Sequence, residues 1–460
     1  MLDLATAAQA IGARHIGANT DFDRVTTDSR NLHRGDLFVG IRGERFDGQA
    51  FADQALRGGA AAVMVGAGTQ LITPNASVLE VDDTRLALGR LAAFWRSRFV
   101  LPVIAVTGSN GKTTVKEMLA SILRQVAAES GVLATAGNLN NDIGVPLTLL
   151  RLDAGHRYAV IEMGMNHLAE IAYLSRMARP TVALINNAGT AHIGELGSVD
   201  AVARAKGEIF EGLEETGTAI INSDDAFADY WRGLARGRPV VDFGLERKAA
   251  ISARYEMTVV ASLVTFRTPR EQFVAMLGLP GLHNIRNALA AVACAYALDI
   301  PAAAIAAGLA SCAGVKSRLQ RKRHPSGALV IDDTYNANPE SMQAAIAVLA
   351  AYPGRTILVM GDMGELGDLT RAMHATIGEL AKRAGVSTLF ALGEMSAAAA
   401  RSFGEGARHF STVDELVDAL VDGLDQGSTV LVKGSRFMRM ERVIEALDAV
   451  NGESAMKGRA

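Results

Sequence analysis

The chain has only two cysteines in 460 residues, Cys294 and Cys312, and no CxxC spacing. That excludes a disulfide framework and a cysteine-built zinc site, and it fits a reducing, cytoplasmic compartment. An excess of one charge is also missing. Lys and Arg number 46 against 49 Asp and Glu, for a formal net charge of −3. There is no global basic field to collect nucleic acid, so no nucleic-acid partner is expected. No uninterrupted apolar run reaches the roughly 20 residues that cross a bilayer, so stable membrane insertion is not expected. The opening residues MLDLATAAQAIGARHIGAN carry acidic Asp3 and no basic segment ahead of a long apolar one, and do not read as a signal peptide.

What is present is the composition of a folded soluble protein, 49% hydrophobic and 21% charged. A chain of 460 residues exceeds one ordinary core and predicts about two to four domains. The patterning predicts an α/β fold of three domains. Residues 1–98 form a small α/β N-terminal domain, with strands in GDLFVGIRG and AAAVMVG and a helix near Thr84 to Phe99. Residues 99–313 form a central P-loop-type domain with a mostly parallel sheet. There YAVIEMGMNH, TVALINNAGTAHIGELGS and TAIINSDD each run from an apolar strand into a polar cluster and a helix. Residues 250–278 change to antiparallel strands. Residues 314–455 form a C-terminal Rossmann-like domain with four parallel strands, and the tail NGESAMKGRA is expected to fray.

In parallel sheets, ligand-binding groups gather at the carboxyl ends of strands, where Thr107, Glu162, Asn186 and Asn222 all fall. The strand ending at Thr107 runs into Gly108-Ser109-Asn110-Gly111-Lys112-Thr113-Thr114, then a helix. Backbone N–H groups of such a turn point at phosphate, the helix start favours anions, and Lys112 adds a cation. Thr113 offers a hydroxyl to Mg²⁺. Val106 stands where the standard spacing has glycine, so the loop is a variant.

Other residues carry two readings each. Glu162 is a Mg²⁺ ligand or a solvated cap. His192 is structural or a functional group in a glycine-rich loop. Lys206 is a surface lysine, a point charge on phosphate, or a lysine carbamate that ligates a second Mg²⁺. Asn284 and Asn287 share a helix face and read a purine edge, or Asn284 caps the helix. Arg318 and Asp333 suit phosphate and ribose, or pair locally.

The order and spacing of TGSNGKTT (107–114), NLNNDIGVPLTLL (138–150), EMGM (162–165), AHIGE (191–195), AKGEIFEGL (205–213), GLHNIRNALAA (281–291) and DDTYNANP (332–339) resemble the Mur ligases. These are the ATP-dependent amide-forming enzymes of peptidoglycan synthesis. Within that family TDSRNLHRGDLFVGIRGERFDGQAF (27–51), YNANP, GDMGELG and LVKGSRFMRME are similar to the member that adds D-alanyl-D-alanine. Gln49 departs from the His usual there, and the DNPR-type motif of the sibling that adds the third residue is absent.

The resemblance implies ATP and Mg²⁺ as cofactors, UDP-N-acetylmuramoyl-tripeptide and D-alanyl-D-alanine as substrates, and a cytoplasmic monomer. It implies that Lys112 and the loop hold the β- and γ-phosphates, and that Thr113 and Glu162 hold one Mg²⁺. His192 and carbamylated Lys206 would hold a second. Asn284, Asn287, Arg318 and Asp333 would serve the nucleotide. Asp28, Ser29, Arg30, Asn140 and Asn141 would face the UDP-sugar side, and Lys433, Ser435 and Arg436 the dipeptide. Two rivals stay open: a ligase of the same fold with another substrate, and a P-loop NTPase that uses hydrolysis as a switch.

Overall fold

The computed structural model describes residues 1–43 and 46–457. Glu44 and Arg45 of the stretch 27–51, and residues 458–460, lie outside the described residues. Three main sheets follow one another along the chain, one inside each of the segments 1–98, 99–313 and 314–455.

The first sheet has five strands, in the order Arg14–Ile16, Val78–Val81, Ala62–Gly66, Asp36–Val39 and Arg24–Thr26. Only the pairing of Arg14–Ile16 is antiparallel. Helix Thr84–Ser97 leads out, with the Asp83 side chain capping the N–H groups of Arg85 and Leu86. Its buried Leu88 and Leu91 share one apolar cluster with Val103, Ala105 and Ile161 of the central sheet. The first and second domains are therefore continuous in their packing.

The central sheet is parallel throughout. Its order is Val240–Phe243, Thr218–Asn222, Val182–Ile185, Val103–Thr107, Tyr158–Glu162 and Val132–Ala134. Val103–Thr107 is buried at every position, as its unbroken apolar run requires of a strand covered on both faces. The chain leaves it toward one edge of the sheet and returns on its other side at Val182. The carboxyl end of this strand is thus a topological switch point, where open α/β sheets place ligands. Helix Lys112–Ala127 then buries Val115, Met118, Leu119, Ile122 and Leu123, the stripe of a helix with one apolar face. Each such side chain contributes about 1.5–3 kcal/mol relative to exposure. The expected antiparallel strands are Ser252–Met257, Ser262–Arg267 and Gln272–Leu277.

The third sheet contains the four expected strands, Leu329–Asp332, Ser428–Lys433, Arg355–Gly361 and Thr388–Leu392, parallel to one another. Gln320–Arg323 and Ala407–Phe410 extend its edges. The tail expected to fray is helical through Lys457. Among the described residues no helix is long and apolar enough to cross a membrane.

Candidate active site

The switch point shapes the phosphate loop. Gly111 has a left-handed backbone, φ +81°, and the helix begins at Lys112 with no side chain capping its N–H groups. A Cβ at 111 would run into the amides of Asn287 and Asn186, so the close approach requires glycine. Val106, at the variant position, is still inside the strand and opposite Glu162 and Leu184. The loop turns after it, and no glycine is needed there.

Asn110 is held on every side. Its N–H donates to Asn187 Oδ1 at 2.8 Å, and its carbonyl accepts from Asn186 Nδ2 at 2.9 Å and Asn187 Nδ2 at 3.1 Å. Lys112 Nζ folds back to donate to the Gly108 carbonyl at 2.6 Å. Burial lowers the Lys112 pKa, while the charge of Glu162 acts in the opposite direction.

Glu162 is 2% exposed at its strand end. Its Oε1 accepts from Asn140 Nδ2 at 2.8 Å, and its buried Oε2 has no hydrogen-bond partner. An orphaned buried carboxylate oxygen is costly unless something fills its place. With the Thr113 hydroxyl nearby on the same cavity wall, it fits a hard dication.

His192 takes a left-handed backbone, φ +65°, and its Nδ1 meets Glu365 Oε2 of the third domain at 2.8 Å. Glu365 is left-handed too, φ +63°, and the contact with His192 holds its carboxyl below the ordinary value. Lys206 is 1% exposed, which removes the surface-lysine reading. Burial, and secondarily Lys112, push its pKa well below that of an ordinary lysine. A neutral amine is the form that adds to CO₂, so the surroundings suit a carbamate. Among the described residues no three His, Cys, Asp or Glu side chains form a metal cage. A Mg²⁺ beside Glu162 would therefore take its remaining ligands from the Thr113 hydroxyl, phosphate oxygens and water, as this ion usually does.

Two cavities open from the loop. One, of about 1390 Å³, is lined by Lys112, Thr113, Asn140, Glu162, His192 and Arg436, among others. The other, about 1070 Å³, is lined by Asn284, Asn287, Asn222 and His283. Asn110, Gly111, Arg318, Asp333 and Lys433 belong to both walls. Asn284 is not the helix cap: Gly281 precedes the helix, and Asn284 Nδ2 donates to the Pro280 carbonyl at 2.8 Å. Asn287 bridges Asn284 and Asn186, so the pair begins a buried amide chain that ends at the phosphate loop. Burial lowers the His283 pKa to about 4.

Arg318 crosses from the third domain. Its Nη2 donates to Thr113 Oγ1 at 3.0 Å, and its guanidinium lies 4.3 Å from the centre of the Tyr335 ring. Asp333 pairs with buried Lys433 at 2.7 Å. Lys433 therefore ties the nucleotide side to the side expected for the dipeptide. Ser435 Oγ donates to the Ala337 carbonyl and accepts from Gly364 N–H, and the Arg436 guanidinium pairs with Glu441. Asn141 Oδ1 accepts from Gly144 N–H at 2.8 Å, at the start of helix Gly144–Leu149.

Asp28, Ser29 and Arg30 are not brought to either cavity. Asp28 caps the 3₁₀ turn Ser29–Asn31, and its carboxylate takes the Arg30 guanidinium at 2.8 Å. Residues that no motif singled out line the larger cavity instead: Arg85, paired with Asp142, and Tyr173, whose pKa burial raises. Glu365, within GDMGELG, and Glu340, directly after DDTYNANP, carry no sequence signal of their own.

These walls, built from a phosphate loop, a buried acid and a third domain folded onto both, define a nucleotide-dependent ligase. Models of the Mur ligase family's catalytic domain, middle domain, and glutamate ligase domain match residues 21–96, 106–295 and 317–436. The chain belongs to the Mur ligase family. It is 45% identical over 435 residues to the UDP-N-acetylmuramoyl-tripeptide–D-alanyl-D-alanine ligase of Escherichia coli K12, covering 94% of this chain and 95% of that one. A crystal structure of MurF from Acinetobacter baumannii superposes with a TM-score of 0.90 at 38% identity, covering 96% of this chain and 98% of that one. MurF from Thermotoga maritima in complex with ADP gives a TM-score of 0.81 at 28% identity, over 95% and 98% of the two chains.

Proposed function

We propose that this chain is an ATP-dependent ligase that joins D-alanyl-D-alanine to UDP-N-acetylmuramoyl-tripeptide, in the cytoplasmic stage of peptidoglycan synthesis and as a monomer. The observation that carries the reading is the larger cavity. It meets Lys112 and Thr113 of the phosphate loop, the orphaned acid Glu162 and basic Arg318 and Arg436 from the third domain, with room for a peptide as well as phosphate. The full-length likeness to D-alanyl-D-alanine ligases supports the choice of substrates.

The tripeptide carboxylate attacks the γ-phosphorus of ATP. The bond to the β-bridging oxygen breaks, giving ADP and an acyl phosphate. The dipeptide amine then attacks the carbonyl carbon, phosphate leaves, and the amine loses a proton. An anion attacking an anion needs its charge offset. Lys112, the uncapped helix start and Arg318 supply positive potential from the protein. Thr113 and Glu162 would hold one Mg²⁺, and His192 with carbamylated Lys206 a second, and the bound ions would supply Lewis-acid neutralisation of the phosphates. Asn140 fixes the Glu162 carboxylate, and Asn186, Asn187 and Asn287 fix the loop. Asn284, Asn287 and Asp333 serve the nucleotide, and Lys433, Ser435 and Arg436 the dipeptide.

ADP release should require both the UDP-linked tripeptide and D-alanyl-D-alanine, and Lys112→Ala should abolish it. ATP turnover indifferent to the dipeptide would sink the ligase reading and favour an NTPase switch.

A further inference from the structure

The loop that follows strand Val182–Ile185 is pinned one residue at a time. Ala188 N–H donates to Asp225 Oδ2 at 2.9 Å, within the central domain. Gly189 N–H donates to Ser109 Oγ of the phosphate loop at 2.9 Å. Thr190 N–H and Oγ1–H both donate to Glu340 of the third domain, each at 2.8 Å. Three successive N–H groups thus go to three different elements, and only the last depends on where the third domain sits. Two residues on is His192, itself engaged by Glu365.

Glu340 stands in the first turn of helix Pro339–Ala350, whose cap is Asn338. Besides capping, Asn338 donates from Nδ2 to Asn110 Oδ1 of the phosphate loop at 2.9 Å. The start of one third-domain helix therefore touches both loops that frame the phosphate position. A Cβ at Gly189 would meet Glu340 Oε1 at 3.0 Å, so the carboxylate lies close against the backbone.

We infer that Glu340 is a positioning residue. Through its two-pronged grip on Thr190, seated beside the Asn338–Asn110 contact, it couples the docked third domain to the phosphate site and keeps water from the acyl phosphate. The inference rests on the ligase reading above. When the grip is lost, water competes with the dipeptide amine. The water oxygen attacks the acyl carbon, the bond to the phosphate oxygen breaks, phosphate leaves, and the tripeptide carboxylate returns with a proton released. ATP is then spent without an amide.

The test counts phosphate released per D-alanyl-D-alanine incorporated in the full-length enzyme. Wild type should give one phosphate per amide. Glu340→Ala and Thr190→Val should each release several phosphates per amide and lower the amide rate about tenfold, as loss of a charge-assisted hydrogen bond allows. Both should melt within a degree or two of wild type, since the contact lies between domains. Thr190→Ser keeps the hydroxyl and should restore one phosphate per amide. Variants that keep wild-type stoichiometry overturn the inference. So does joint loss of amide and phosphate release with ADP still bound, because Glu340 would then serve turnover itself. A wild type that releases phosphate without needing the dipeptide would instead sink the ligase reading.

Discussion

Lys206 shows what a single residue can and cannot disclose. In sequence it is one helix lysine among many, and the statistics of such residues favour a solvated surface group. Its 1% exposure reverses that, because an isolated ammonium is not left buried when it can shed its proton. Its pKa is depressed, first by burial and then by Lys112, which favours the neutral amine that a carbamate requires. Lys206→Ala should lose nearly all ligase activity, by about a hundredfold or more, and a short carboxylic acid such as acetate or propionate should restore part of it. The rate measured against acid concentration decides. No rescue, together with full wild-type activity in CO₂-free buffer, would remove the carbamate. Glu162, Lys112 and Thr113 were legible in the sequence, because strand-end position and loop chemistry are local. Glu340 and Glu365 were not, since their partners Thr190 and His192 lie well over a hundred residues away and only the folded chain sets them side by side.

At the scale of elements, burial pattern decided legibility. The strands Val103–Thr107, Tyr158–Glu162, Arg355–Gly361 and Ser428–Lys433 are apolar runs covered on both faces, and each reads plainly. Gln320–Arg323 was missed because it is polar throughout, an edge strand held by main-chain pairing to Leu329–Asp332. Helix packing was equally silent in the sequence. Helix Ala302–Ser311 lies so close to the phosphate helix that a Cβ on Gly308 would fall onto the Ile122 backbone, and Ser121 Oγ donates to the Gly308 carbonyl at 2.7 Å. Gly308→Ala should push the two helices apart and cost about 1–3 kcal/mol. Its urea midpoint should fall, and because Lys112–Ala127 carries the phosphate loop, KM for ATP should rise with it. An unchanged midpoint would show that the two helices have room to spare.

The whole molecule is joined unevenly. The first and second domains share one large apolar cluster, whereas the third keeps apolar clusters of its own, against which Ile193 and Val259 of the second pack, and adds a set of polar contacts. The polar contacts include Thr190–Glu340, His192–Glu365, Asn110–Asn338, Thr113–Arg318, Gly194 N–H to the Glu365 carbonyl, and Tyr352 Oη–H to the Val259 carbonyl. Interfaces of this kind between domains permit relative motion by default. Each of the neutral hydrogen bonds can be exchanged for water at a net cost of about 1 kcal/mol, and those of Glu340 and Arg318 at about 1.5–3 kcal/mol. The connection between the domains also holds Ser317 and Leu319 at left-handed φ of 58° and 53°, on either side of Arg318. Backbone in that region is retained only where its surroundings enforce it, and here Leu319 N–H donates to Asp333 Oδ1 at 3.1 Å and Ser317 Oγ to Asp332 Oδ2 at 3.2 Å, while Arg318 between them reaches Thr113. Both cavities have walls from the two domains, so a nucleotide or peptide gains contacts only in the docked arrangement and shifts the population toward it. X-ray scattering should therefore give a larger radius of gyration for the ligand-free chain than the about 23 Å expected of a compact chain of this length. A non-hydrolysable ATP analogue with the UDP-linked tripeptide should reduce it. Arg318→Ala should weaken that contraction, because it removes a hydrogen bond that ties the third domain to the phosphate helix. A radius that ligands leave unchanged, in wild type and variant alike, would mean that the docked arrangement is the resting one and that catalysis needs no closure.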